Sequence, residues 1–125
     1  MSKTIFLSYR VVDEKYKKKV VDWAEEGKLG NGVKVLHQMD QGRPLTGNEI
    51  KGLIKPKIKG VAMVLILVGN DTHNSNWIKW EIELSKMDNK AIYWMQAPGT
   101  SGAPPYELKK IPKIEFNSNS IKSRL

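Results

Sequence analysis

Val61 to Met87 reads VAMVLILVGNDTHNSNWIKWEIELSKM, and this stretch decides the fold. Eight unbroken apolar residues, Val61 to Val68, meet a polar elbow, and a helix then opens with Trp77, Trp80 and Glu81. Continuous rather than alternating hydrophobicity marks a strand buried on both faces, which is the signature of a parallel sheet covered by helices. Open α/β sheets place their ligands in the crevice outside the carboxyl ends of their strands. Glu81, one helical turn after Trp77, is therefore a candidate acid in a cleft.

Working outward, Lys3 to Tyr9 (KTIFLSY) forms a first buried strand ending at Ser8, Tyr9 and Arg10. Asp13 can cap a helix that runs to about Glu26, with Tyr16, Val20, Trp23 and Ala24 at helical spacing. Gly27, Gly30 and Gly32 end it, and Val33 to Met39 reads as a second strand. The loop Asp40 to Gly47 (DQGRPLTG) follows, then a helix from Asn48 that Pro56 should kink or end. Asn74, Ser75 or Asn76 can cap the helix that carries Glu81, and Ala91 to Met95 reads as a fourth strand. Lys113 to Phe116 is expected as a short edge strand and Asn117 to Leu125 as a loose tail.

Strand and helix alternate throughout. Right-handed crossovers then give a doubly wound parallel sheet of four or five strands in the flavodoxin-like order 2-1-3-4-5, with the switch point beside strands one and three. A chain of 125 residues, 40% hydrophobic and 27% charged, fits one α/β domain over residues 1–125. The apolar run is far short of the roughly 18 residues a bilayer-spanning helix needs, and the amino terminus has no signal-peptide pattern, so a cytoplasmic protein without membrane contact is expected. Zero cysteines exclude thiolate chemistry, and His37 and His73 are too few imidazoles for a usual zinc site, so no metal is expected. The net charge of +8 is spread over Lys17–Lys19, Lys51–Lys59 and the carboxyl-terminal lysines. Dispersed lysines read as solvated helix faces, which argues against a nucleic-acid interface while favouring anionic ligands.

The strand order brings Ser8, Tyr9 and Arg10 beside Gly69, Asn70 and Asp71, with the loop after strand two as a third wall, where Arg43 and Pro44 form either a mere turn or a movable lip. Neither G-x-G-x-x-G nor G-x-x-x-x-G-K-[ST] occurs, so the usual backbone cradles for a dinucleotide or a nucleoside triphosphate are lacking. A carboxylate beside aromatics suits chemistry at a sugar anomeric carbon, where a departing base leaves an oxocarbenium-like centre. Desolvation by Trp77 and Trp80 strengthens that electrostatic effect. The bland alternative is a solvated glutamate beside tryptophans that belong to the core.

Three segments in order, IFLSYRVVDEKY, MDQGRPLTGNEI and VLILVGNDTHNSNWIKWEIELS, resemble the TIR-like domains of bacterial antiphage defence, in particular the sensor proteins of Thoeris systems. The resemblance covers roughly the first 95 residues. It implies a TIR-like enzyme with NAD as substrate and no further cofactor, cleaving the nicotinamide ribosyl bond to yield ADP-ribose or a cyclic variant that signals to a downstream effector. Carried over, the family's catalytic glutamate falls on Glu81. Substrate contacts fall on Ser8, Tyr9 and Arg10, on Asp40 and Arg43 of the loop after strand two, on Asn70 and Asp71, and on Trp77. Tyr9 and Trp77 would pack on a ring, and Arg10 or a nearby lysine would meet the pyrophosphate. A phage-derived trigger and a homo-oligomer are further implied partners. The alternative is a non-catalytic TIR-like module that self-associates.

Overall fold

The computed structural model describes residues 3–40 and 48–125. Strands β1 (Lys3–Arg10), β2 (Val33–Asp40), β3 (Met63–Val68) and β4 (Ile92–Gln96) form one all-parallel sheet in the order β2-β1-β3-β4. Helices α1 (Glu14–Glu25), α2 (Asn48–Lys59), α3 (Asn76–Met87) and α4 (Ser118–Lys122) cover it. This is the expected flavodoxin-like α/β architecture with four strands.

Every residue of β3 is buried. Its side chains alternate between two cores. Met63, Leu65 and Leu67 join Ile5, Leu7 and Tyr9 of β1 on the face covered by α1 (Val20) and α4 (Ile121). Val64, Ile66 and Val68 join Phe6 on the face covered by α2 (Ile54, Ile58) and α3 (Ile78, Ile82). A fully buried aliphatic side chain contributes about 1.5–3 kcal/mol, so a strand that buries both faces stabilises the fold most at the centre. β1 and β3 are neighbours, yet α1 and α3, which follow them, go to opposite faces. That divergence opens the crevice at their carboxyl ends.

Two expectations are corrected and one is narrowed. Of the two outcomes expected of Pro56, a helix end is ruled out, since α2 continues to Lys59. Proline inside a helix costs roughly 3 kcal/mol, but Ile54 and Ile58 on either side of it are buried against the sheet, at 1% and 0% exposure. Their burial is of comparable size. The strand expected at Lys113–Phe116 is reduced to a single parallel bridge between Trp94 and Lys113. Pro112 accepts from Trp94 N but has no N–H to donate, and Lys110 just before it turns the chain at a φ of 70°. Asn117 to Leu125 is a docked segment, not a loose tail: Asn117 Oδ1 caps α4 by accepting from Ser120 N at 2.7 Å, and Ile121 is wholly buried.

Candidate active site

Alternation along β1 sends Ile5, Leu7 and Tyr9 to the α1 face, and Phe6 and Ser8 to the α3 face. On α3, the Ser75 side chain caps the amino terminus by accepting from Ile78 N at 3.1 Å, which sets the phase of the helix. In that phase Trp77, Ile78, Glu81, Ile82, Leu84 and Ser85 are all buried. Glu81 is 1% exposed, Ser8 is 0% exposed, and Ser8 Oγ donates to Glu81 Oε1 at 2.7 Å. A hydroxyl donating to a carboxylate is a charge-assisted bond, and it fixes the direction of an acid placed in a low-dielectric setting. Trp77 is 8% exposed and meets Trp80 edge to face, with centroids 6.0 Å apart and planes at 87°. Ser85 Oγ donates to the Glu81 carbonyl at 2.7 Å, one turn further on.

The elbow between β3 and α3 is held by buried Thr72, whose Oγ1 accepts from Gly69 N at 2.8 Å. At its rim Arg10 Nη1 stands 3.0 Å from Asp71 Oδ2, and Asn74 Nδ2 donates to Asp71 Oδ1 at 2.6 Å. The Asp71 side chain is 48% exposed, so solvent screens this pair and its net worth is about 1 kcal/mol or less. An anionic ligand at the crevice mouth would compete with Asp71 for this guanidinium.

The sequence-predicted residues therefore separate. Ser8, Glu81 and Trp77 gather on the α3 face, and Arg10 and Asp71 pair at the rim. Tyr9 does not join them: it is 1% exposed on the opposite face, 6.3 Å from the His37 ring between centroids. Burial, and after it the Glu14 carboxylate, pushes the Tyr9 phenol up to about 12. Asn70 turns elsewhere too. Its Oδ1 accepts from Ser101 N at 2.9 Å, and it lines a cleft of about 430 Å³ with Asp13, Tyr16 and Pro98 on the α1 side. That cleft is not lined by Glu81 or Ser8. The Asp40 side chain and Arg43 lie outside the described residues. Among the described residues no three His, Asp or Glu side chains converge as a metal site.

Asp13 is the residue that sequence reasoning misplaced. It occupies the N-cap position of α1, but its side chain makes no cap bond and is only 3% exposed. Burial raises its carboxyl pKa, opposed by the Arg10 cation and reinforced by Asp71. Its carboxyl lies against Gly69, where an added Cβ would come within 2.3 Å of Asp13 Oδ2. Gly102 is similarly constrained, since a Cβ there would meet the Gly69 carbonyl at 2.3 Å. The signal available in the sequence was a glycine placed directly after the central strand.

A family model described as Thoeris protein ThsB, TIR-like domain, matches residues 6–101. The matched span runs from β1 through β4 and includes Ser8, the elbow, Glu81 and the loop that reaches Asn70. No curated protein matches the chain.

Proposed function

The chain belongs to the Thoeris ThsB TIR-like domain family, and on that premise we propose that it is an NAD-consuming enzyme of antiphage defence acting in the cytoplasm. The reaction is heterolysis of the bond between nicotinamide N1 and ribose C1′. The bonding pair leaves with nicotinamide, which departs neutral, and positive charge develops over C1′ and the ring oxygen. The Glu81 carboxylate stabilises that charge. Water then attacks C1′ and loses a proton to give ADP-ribose, or a nucleophile within the same molecule closes a cyclic product. The product would signal to a downstream effector, and a phage-derived trigger would switch the enzyme on.

The observation that carries this reading is the 2.7 Å bond from Ser8 Oγ to Glu81 Oε1, which holds a buried carboxylate at the carboxyl ends of the central strands. Arg10, whose ion pair with Asp71 at the rim is screened by solvent, supports a pyrophosphate contact there. The test incubates the purified chain with NAD and follows nicotinamide by mass spectrometry, beside Glu81→Gln. Nicotinamide release by the wild type and its loss in the variant are expected. Equal turnover by the two proteins removes Glu81 from the chemistry, and no turnover by either leaves the self-associating module as the better account.

A further inference from the structure

We propose that the turn after β4 straps the β3–α3 elbow in place, and that Thr100 and Gly102 within it are positioning residues for Arg10 at the crevice rim. The inference rests on the reading of that crevice as an NAD site, and it names residues other than Glu81 and Ser8 on which binding there depends.

The strap starts where β4 ends. Ala97 N and Gln96 Nε2 both donate to the Val68 carbonyl, at 2.8 and 3.2 Å, so the last residue of β3 and the start of the turn share one anchor. Thr100 closes the turn. Its backbone N donates to the Ala97 carbonyl at 3.2 Å, its Oγ1 donates to the same oxygen at 2.6 Å, and Oγ1 accepts from Gln96 Nε2 at 2.8 Å. Gly99 supplies the left-handed backbone of this closure, with a φ of 74°. Tyr16 Oη donates to the Pro98 carbonyl at 2.7 Å and ties the turn to α1.

Beyond Thr100 the chain lies directly on the elbow. Ser101 N donates to Asn70 Oδ1 at 2.9 Å. A Cβ at Gly102 would overlap the Gly69 carbonyl oxygen and stand 2.6 Å from Asn70 Cα, so backbone packs on backbone there. Gly69 also meets the Asp13 carboxyl, so the first residues of the elbow touch both the start of α1 and the strap. One residue further on, Asp71 holds Arg10 Nη1 twice, through Oδ2 at 3.0 Å and through its backbone carbonyl at 3.4 Å. A shift of the elbow backbone therefore moves the partners of the guanidinium, whereas Glu81 keeps its bond to Ser8 on β1. Misplacing a substrate-positioning group by about 1 Å can cost up to about 10²-fold in rate.

The experiment measures nicotinamide release from NAD by Gly102→Ala, Thr100→Val and Thr100→Ser, each alone and combined with Arg10→Ala. Gly102→Ala should raise KM about tenfold and Thr100→Val about threefold with kcat nearly unchanged, while Thr100→Ser, which keeps the hydroxyl, stays near the wild type. Combined with Arg10→Ala, the strap variants should add little, because the group they position is gone. Packing loss alone would reduce the folded, active fraction and so lower kcat at constant KM. That pattern, or an undiminished KM effect in the Arg10→Ala background, overturns the proposal. Should Gly102→Ala fail to fold, Thr100→Val decides by the same criteria. The Arg10 Nε–H resonance of 15N-labelled protein, identified by its loss in Arg10→Ala, gives a readout that needs no turnover. It should shift in Gly102→Ala and Thr100→Val and hold in Thr100→Ser. A wild type that releases no nicotinamide defeats the NAD reading and leaves the strap to be judged on this resonance; an unmoved resonance overturns the strap itself.

Discussion

Two carboxylates are buried at the same end of this sheet, on opposite faces, and they are treated differently. Glu81 sits within a capped helix and receives a hydroxyl proton from the neighbouring strand at 2.7 Å. Asp13 sits at the start of a helix without capping it, pressed against a glycine, with an oxygen that no donor reaches among the described residues. Burial alone therefore does not define a role. The first acid is held in one direction by the Ser8 hydroxyl, as the proposed chemistry requires. The second is raised in pKa by its burial, and after that by Asp71 against the opposing Arg10 cation, which leaves it receptive to a proton.

The contrast can be broken most sharply at Glu81. Glu81→Gln keeps the shape of the side chain and removes its charge, and nicotinamide release should fall by about 10²- to 10³-fold, the range typical of losing one electrostatic stabiliser of a transition state. The thermal unfolding midpoint should change little by comparison. Gly69→Ala tests the other acid: the new Cβ overlaps Asp13 Oδ2, and urea unfolding should show a loss of about 2 kcal/mol. Most of that loss should vanish in the Asp13→Ala background, because the two groups compete for one space. Persistence of the full loss in the double variant would show that Gly69 matters for its backbone and not for Asp13.

Ser8→Ala sharpens the comparison from the Glu81 side. Removing the hydroxyl should cost about 1 kcal/mol in urea unfolding. If the hydroxyl acts by directing the carboxylate, the change lowers kcat with KM for NAD nearly unchanged. A rise in KM at unchanged kcat would instead make Ser8 a binding group. The smallest effect concerns pH. The folded-state pKa of Asp13 is raised, so between the ordinary aspartate pKa near ~3.9 and that higher value the folded chain holds more protons than the unfolded one. Stability is then lost as pH rises through this window. Asp13→Asn should remove that part of the slope and unfold at equal or higher urea than the wild type at neutral pH. A variant whose urea midpoint follows the wild-type pH profile would assign the slope to other groups.

The central strand and its elbow were legible because eight apolar residues in a row admit few environments, and Glu81 was legible because Trp77 lies one turn before it. The partnership of Glu81 with Ser8 was not, since 73 residues separate them and only the pairing of β1 with β3 brings them together. Tyr9 was placed with Ser8 as a neighbour in sequence, and the two-residue period of a strand sends it to the other face. Asp13 carries the residue type of a helix cap, and local pattern gives no sign that the Gly69 backbone will take its carboxyl. α4 was missed because a five-residue helix holding one buried isoleucine has no period to detect. At Pro56 a local rule left a helix end open, and two isoleucines anchored on the sheet carry the helix past it.

The docked α4 has a practical consequence for handling the molecule. Lys3 Nζ donates to the Leu125 backbone oxygen, so the start of β1 and the carboxyl terminus meet at one pole. Glu81 and the Asp13 cleft both lie toward the other, where the parallel strands end. A linker attached after Leu125 therefore leaves the chain on the far side from both acids. Immobilising the protein through that end would hold the crevice toward the solution, which suits surface-based measurement of ligand binding there.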